Sequence, residues 1–155
     1  MSNEKFVVVM IRGMHDLHPD VKKTLDYLRL HQKHAAVVVD ATPENKGMIE
    51  KIKDYVTFGS IDEAFFKEML DKRGEAVGKL SAKEAKIDTA KVAKEYFDGK
   101  LKLRDFEPKY KLKPFFRLHP PIGGFERKGI KMPFGKGGVL GNRKDKIKVL
   151  ISKML

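Results

Sequence analysis

The sequence predicts an α+β fold, and three observations support this prediction. Residues 1–60 alternate between short apolar runs rich in β-branched residues and stretches with apolar residues at helical spacing. Residues 61–107 carry mainly helical patterns. Residues 108–143, called the ribbon below, hold five of the seven prolines and seven of the thirteen glycines. Neither a helix nor an interior strand accommodates that content, so the ribbon is expected to be extended and irregular.

The strands of the small sheet are predicted from two apolar runs and one shorter pattern. Residues 6–11, FVVVMI, form a continuous apolar run that is typical of a strand covered on at least one face. Residues 35–39, AAVVV, repeat that composition, and YVTF at 55–58 indicates a third strand. Residues 1–60 are therefore expected to fold as strand, helix, strand, helix, strand, with both helices on one face of a three-stranded sheet.

The two helices of this unit each begin near a proline. Pro19 and Pro43 are predicted to lie in the first turn of a helix, where the backbone N–H has no intrahelical partner and proline is therefore tolerated. The apolar residues that recur at helical spacing behind them are Val21, Leu25 and Leu28 in the first helix, and Met48, Ile49, Ile52 and Val56 in the second.

The extension at 61–107 shows two capping-box patterns. SIDE at 60–63 predicts a helix that stops at Arg73 and Gly74, and SAKE at 81–84 predicts another that begins there or near Asp88. Phe65, Met69 and Val92 lie on the apolar faces of these helices and are expected in the core. The type of the element at 101–106 stays open.

A last helix is predicted at 144–155, capped by Asn142. Its apolar face, formed by Ile147, Leu150, Ile151 and Met154, must pack on the rest of the chain. The ribbon is therefore expected to be anchored at both ends. The chain divides into a core at 1–60, a helical extension at 61–107, the ribbon at 108–143 and the C-terminal helix at 144–155.

The charge of the chain is concentrated in its last third. The formal net charge is +12 and the pI is about 9.8, which favours an acidic partner, most often nucleic acid and sometimes a membrane surface. Residues 1–100 carry 18 Lys and Arg against 17 Asp and Glu, whereas residues 101–155 carry 15 against 4. Binding to the acidic partner is therefore assigned to the second part.

Within the ribbon, nine lysines and arginines alternate with five aromatic residues. Such a segment suits a polyanion, because cations meet phosphate while rings meet bases. At least one of Phe115 and Phe116 is expected to reach RNA or a neighbouring protein. A disordered basic tail is the alternative, but it would need neither the rings nor the closing helix. A membrane-surface role is disfavoured because the cations do not share a helix face.

Several other classes of function are disfavoured by the residues. The chain has no cysteine, no apolar run of about 20 residues and no signal-peptide pattern, so we expect a soluble cytoplasmic protein without disulfides. GKGG at 135–138 matches neither the P-loop, which needs glycine at 130 and Ser or Thr at 137, nor the dinucleotide fingerprint, which needs glycine at 140. The histidine pairs 15/18 and 31/34 lack further metal donors, and no grouping of catalytic side chains occurs. We expect no enzyme activity, no cofactor and no metal.

The segments at 7–30 and 137–155 resemble those of a known protein family. VVVMIRGMHDLHPDVKKTLDYLRL and GGVLGNRKDKIKVLISKML resemble the archaeal and eukaryotic branch of the large-subunit ribosomal protein L-thirty family, called L-seven in eukaryotes. Residues 5–58 correspond to the short bacterial form and the rest to the extension of the longer branch. The chain starts almost at its first strand, without the lysine-rich arm of eukaryotic relatives, which favours an archaeal version.

The resemblance implies an antiparallel three-stranded sheet with two helices, binding to large-subunit ribosomal RNA beside neighbouring ribosomal proteins, and no catalysis. A free-standing RNA chaperone or regulator is the alternative. The candidate RNA-binding residues are Arg12, Lys109, Lys111, Lys113, Phe115, Phe116, Arg117, His119, Arg127, Lys128, Lys131, Lys136 and Arg143.

Overall fold

The structure is a computed structural model that describes residues 4–13 and 15–155. Its central sheet contains β1 (Lys5–Met10), β2 (Ala35–Asp40) and β3 (Val56–Ile61), as predicted. β1 lies in the middle and pairs antiparallel with both neighbours, so that Val7 stands opposite Val38 on one side and Gly59 on the other. The helices are α1 (Pro19–Tyr27), α2 (Pro43–Lys51), α3 (Glu63–Arg73), α4 (Thr89–Phe97), α5 (Phe106–Tyr110) and α6 (Ile147–Met154).

α1 and α2 cover one face of the sheet, which confirms the predicted arrangement. Leu25 and Ile49 from these helices are buried in one cluster with Val8, Met10 and Val37 from the strands. Both helices begin at the predicted prolines, because the residue before each proline caps the first turn. The Thr42 hydroxyl accepts a hydrogen bond from the Asn45 N–H at 3.2 Å, for example.

The opposite face of the sheet is covered by α3, α4 and α6. Val7 and Val9 pack there with Phe66, Tyr96 and Ile151, and the whole predicted apolar face of α6 is buried. The Tyr96 hydroxyl donates to the Val38 carbonyl at 2.6 Å, and burial raises the pKa of this tyrosine. The sheet is thus buried on both faces, which explains why β1 and β2 are uninterrupted apolar runs rather than alternating ones.

The sheet has five strands, so the expectation of three is incomplete. The ribbon supplies β4 (Phe116–Arg117), antiparallel to β2, and β5 (Gly141–Asn142), parallel to β3. The order is β4-β2-β1-β3-β5. An exposed edge of β2 or β3 would leave unpaired backbone groups, and a short added strand satisfies part of each edge. Two-residue edge strands are compatible with a chain rich in proline and glycine.

The ribbon is also less irregular at its start than its composition suggests. α5 includes Pro108, although the ribbon that begins at this residue was expected to be extended. Pro108 lies in the first turn of this short helix, where no intrahelical N–H donor is needed, so the proline is tolerated. The helix ends one residue before Lys111, whose backbone is left-handed with φ of 56°.

The predicted cap of α3 at Ser60 is wrong by two residues. β3 continues through Ile61, so the helix starts later, and the Asp62 carboxylate accepts a hydrogen bond from the Phe65 N–H at 3.0 Å. Ser60 instead donates to Asp145 at 2.9 Å. The second box at 81–84 forms both of its reciprocal bonds but closes only a turn. α4 begins at Thr89, the later of the two predicted starts.

All four predicted segments contribute to one core. Val7, Phe66, Phe116 and Ile151 come from the four segments in turn and belong to the same buried cluster. At β3, a Cβ on Gly59 would lie 2.2 Å from the Lys144 carbonyl oxygen, so the chain after the ribbon returns to the sheet in close contact. The ribbon is therefore an integral part of the domain.

Met69→Ala is expected to lower the free energy of unfolding by about 2 to 5 kcal/mol, because Met69 is fully buried between the sheet and α4. Met48→Ala is the matched control, since Met48 is only partly buried at the edge of the other cluster. Urea unfolding followed by circular dichroism measures both. Equal losses would show that Met69 is not part of a tightly packed core.

Candidate nucleic-acid interface

The structure separates the candidate RNA-binding residues into exposed ones and ones that hold the fold together. The exposed members make no ion pair with any described residue, and their side chains face solvent. They are Lys111, Arg117, His119, Arg127, Lys128, Lys131 and Lys136. Arg12 and Phe115 are half-buried, and the remaining candidates make internal contacts.

Arg143 is the clearest correction, because it lies inside the protein. Its side chain is 3 % exposed and forms a two-pronged ion pair with Glu126, in which Nη2 donates to Oε2 at 2.7 Å. Nε donates to the Thr57 hydroxyl at 2.9 Å, and Nη2 donates also to the Val139 carbonyl at 3.1 Å. The guanidinium is fully engaged, so Arg143 fastens the end of the ribbon to β3 rather than facing a ligand.

Lys113 and Lys109 fasten the beginning of the ribbon. Lys113 Nζ lies 2.6 Å from a Glu75 carboxylate oxygen, and both side chains are about three-quarters buried. Lys109 Nζ lies 2.9 Å from Glu95, which also accepts a hydrogen bond from the Tyr110 hydroxyl at 2.7 Å. These bonds, Tyr110 first and Lys109 second, lower the pKa of Glu95. Both lysines are thus already paired with acids of the extension.

The two adjacent phenylalanines of the ribbon differ in position. Phe116 is 4 % exposed and meets Phe66 edge to face, with ring centroids 6.1 Å apart. Phe115 points to the other side of β4 and is half-buried, with the Arg117 guanidinium 5.8 Å from its ring centroid. Phe116 is therefore a core residue, and Phe115 alone of the pair can reach a partner.

Around Phe115 the structure assembles a cationic groove at the β4 edge of the sheet. Arg117 shares it with Arg29 and His31, which come from the loop between α1 and β2. Stacked ring and guanidinium groups are suited to bases, and the second arginine is suited to phosphate. Arg29 was not among the candidates from the sequence, because it lies outside the ribbon.

A second cationic groove lies at the β5 edge. The Arg12 guanidinium lies 5.2 Å from the Tyr55 ring centroid, and the other charged residues that line this cavity of about 370 Å³ are Lys53, Lys131 and Asp54. Lys53 is paired with Glu50 at the surface, at 2.9 Å. The structure therefore brings Arg12 and Lys131 together from opposite ends of the chain.

The glycine-rich turn at 135–138 has a packing role. A Cβ on Gly138 would lie 2.1 Å from the Met132 carbonyl oxygen, so the backbone approaches closely there. Gly137 has φ of 88°, a left-handed conformation that favours glycine. Both observations indicate a role in the turn and in close approach of the backbone. Across residues 4–13 and 15–155, no three His, Asp or Glu side chains gather as a metal site would require. None of the described helices combines the length and apolar character needed to cross a bilayer.

Comparison with known proteins identifies the family. Residues 6–56 match the family described as ribosomal protein L30p/L7e. "Large ribosomal subunit protein uL30" of Staphylothermus marinus is 40% identical, covering 97% of this chain and 98% of its own length. The protein of the same name from Ignicoccus hospitalis is 39% identical over 100% of both chains, and that of Methanococcus maripaludis is 36% identical over 97% and 99%. The chain belongs to the L30p/L7e family.

The family assignment confirms the resemblance noted in the sequence. The L30p/L7e match at 6–56 covers β1 to the beginning of β3, whereas the similarity to the archaeal relatives extends through the ribbon and α6. The similarity to the relatives therefore covers the segments that form the two cationic grooves at the sheet edges.

Proposed function

We propose that this chain is a structural component of the large ribosomal subunit, takes part in translation in the cytoplasm, and binds large-subunit ribosomal RNA without catalysing a reaction. The observation that carries the proposal is the similarity, along nearly the whole chain, to archaeal proteins named as large ribosomal subunit proteins. The excess of 11 positive charges in residues 101–155 agrees with an RNA partner.

The RNA-binding surface proposed here is smaller than the candidate set from the sequence. It comprises the exposed ribbon cations, with Arg12 and Phe115 at the two sheet edges. Arg143, Phe116 and Lys113 are left out because they are buried or mostly buried, and Lys109, whose side chain is half exposed, is left out because it is paired with Glu95. Neighbouring ribosomal proteins are proposed as further partners.

Sedimentation of cell extracts tests the function. A structural component stays with large subunits in a sucrose gradient at high salt, because many contacts must break together before it leaves. An epitope-tagged copy of this chain should therefore cosediment with large subunits in stoichiometric amount. A free-standing chaperone or regulator would remain near the top of the gradient, and that outcome would contradict the proposal.

The salt dependence of binding tests the reduced surface. Six ribbon cations, Lys111, Arg117, Arg127, Lys128, Lys131 and Lys136, are exposed and unpaired with described residues. If about four to six of them meet phosphates, the slope of log affinity against log salt is expected near −3 to −5. The purified chain would be titrated against large-subunit rRNA and a scrambled RNA of equal length. A slope near zero, or coincident curves for the two RNAs, would contradict a fitted electrostatic interface.

A further inference from the structure

A third groove lies beside α6, away from both sheet edges. It is lined by Gly123 and Gly124, by the rings of Phe125 and Phe134, and by Lys146, Val149 and Lys153, and its volume is about 390 Å³. Neither lysine was among the candidates from the sequence, because they lie outside the ribbon on a helix. The groove combines rings, cations and an open backbone, and the Arg143–Glu126 pair described above forms part of its lining.

Contacts within the protein fix the positions of the two rings that line the groove. The Arg143 guanidinium lies 4.7 Å from the Phe134 ring centroid and is itself fixed by Glu126. Phe125 stacks on His34 with centroids 6.1 Å apart and planes at 19°. Both phenylalanines remain half-buried rather than buried. Two rings whose positions are set by the fold therefore present part of their surface to the groove, which limits the entropy lost when a flat group stacks on them.

The charge of the groove is positive. Lys146 and Lys153 are exposed and make no ion pair with any described residue, whereas the one acid in the lining, Glu126, is neutralised by Arg143. The Lys146 ammonium lies 5.8 Å from the Phe134 ring centroid, so a cation stands next to a ring. That pairing matches a nucleotide, in which a phosphate is attached close to a flat base.

Gly123 and Gly124 leave one wall of the groove without side chains. Gly123 and Gly124 have φ of 84° and 81°, and a Cβ on either would meet no heavy atom within 4 Å. The loop is held against α6 because the Ile122 N–H donates to the Lys153 carbonyl at 3.0 Å. Left-handed glycines without side chains leave backbone accessible to a sugar or phosphate. Beside them, Ile122 is 79% exposed and Val149 is 61% exposed.

We infer that this groove receives one unstacked base of the bound RNA, with the adjoining phosphate at Lys146 and Lys153. Single-stranded and bulged bases are recognised by stacking on aromatic side chains, and the cavity volume suits a single nucleotide rather than a duplex. An apolar side chain of a protein neighbour fits less well, since lysine is depleted at the centre of protein interfaces. The inference rests on the proposed function, because it names the part of the RNA that one site takes.

Val149→Glu tests the inference, because it places a carboxylate at the mouth of the groove on an exposed helix position. Affinity of the purified full chain for deproteinised large-subunit rRNA is expected to fall about tenfold, in the range of one lost stacking contact. Leu80→Glu is the control, since Leu80 is an exposed apolar residue in the turn at 75–81, outside the groove. It should leave affinity within about twofold. Equal effects of the two variants would overturn the inference.

Ultraviolet crosslinking gives a second readout that does not depend on a variant. Bases stacked on phenylalanine are expected to give nucleotide adducts on Phe125 or Phe134 after irradiation of the wild-type complex and mass spectrometry. Adducts found only at other residues would overturn the inference, as would a crosslink from position 149 to a ribosomal protein in intact subunits.

Replacing the two lysines of the groove distinguishes a failure of the groove inference from a failure of the proposed function. Lys146→Ala with Lys153→Ala should weaken rRNA binding about tenfold, whereas Lys22→Ala with Lys23→Ala, an equal loss of charge on α1, should not. If wild-type chain binds rRNA but all groove variants bind equally well, the groove inference fails and the proposed function stands. If wild-type chain does not bind rRNA at all, the proposed function fails.

Discussion

Arg143→Ala is expected to lower the free energy of unfolding by about 3 to 5 kcal/mol, because it removes the buried cation of an ion pair whose carboxylate is about two-thirds buried. The substitution would leave the Glu126 carboxylate without its cation and the Val139 carbonyl without its donor. It would also remove the side-chain hydrogen bond from Arg143 to Thr57 on β3. Urea unfolding by circular dichroism measures the loss.

Arg117→Ala is the matched control for this prediction. It removes an arginine from the same ribbon, but an exposed one that makes no ion pair with a described residue, so its effect on unfolding should be within about 0.5 kcal/mol. Arg143→Lys keeps the charge and loses the two-pronged geometry, so it should fall between the two. Similar stability of the Arg143 and Arg117 alanine variants would refute the structural role of Arg143.

The Arg143–Glu126 ion pair makes the stability of the protein depend on pH, and the direction of this dependence follows from the pKa of Glu126. Burial, the largest single influence, raises the pKa of Glu126, but the hydrogen bonds and positive charge of Arg143 together with a backbone hydrogen bond outweigh it, so the net direction is below the ordinary value of 4.5. A carboxyl group with a depressed pKa in the folded state stabilises the protein above its unfolded pKa, and this contribution is lost as pH falls through the folded value. The wild-type chain should therefore lose stability more steeply below pH 4.5 than Glu126→Gln does.

Local patterns were sufficient to predict the central elements. Pro19 and Pro43 mark helix starts, and the apolar runs at 6–11 and 35–39 mark strands, because these signals depend only on residues close in sequence. The cap of α3 was misplaced for a tertiary reason: β3 pairs with β1 up to Ile61, and this pairing overrides the local pattern at Ser60.

The edge strands could not be predicted, since their signal lies in distant partners. Phe116 and Arg117 show no strand pattern of their own, and they form β4 because β2 offers backbone groups at its edge. The burial of Arg143 has the same origin. In sequence it is one more cation of a basic segment, and only contact with Glu126 and Thr57 makes it an internal residue.

From the sequence, the binding site is proposed at the level of the segment and not of the residue. The excess charge lies after residue 100, but composition could not separate paired cations from exposed ones. The ion pair between Lys113 and Glu75 joins residues that are 38 positions apart in the sequence. The cationic grooves also recruit Arg12 and Arg29 from the balanced front of the chain, because the ribbon strands lie next to the loops that carry them.

Removing four exposed ribbon cations together is expected to weaken binding to large-subunit rRNA by about a hundredfold to a thousandfold at moderate salt, because each contact releases counterions from the RNA. The variant carries alanine at Arg117, Arg127, Lys128 and Lys131, all of which are exposed. The slope of log affinity against log salt should become less steep by about 3.

The control for this variant carries alanine at four exposed helix lysines outside the grooves, Lys22, Lys23, Lys91 and Lys94, so that the net charge of the two variants is equal. Both proteins should unfold at similar urea concentrations, since none of the eight side chains makes an ion pair with a described residue. Filter binding with large-subunit rRNA compares them. If the effect came from net charge alone, the two variants would lose affinity equally and with the same change of slope. A large loss confined to the ribbon variant requires that these four cations lie where the RNA backbone runs.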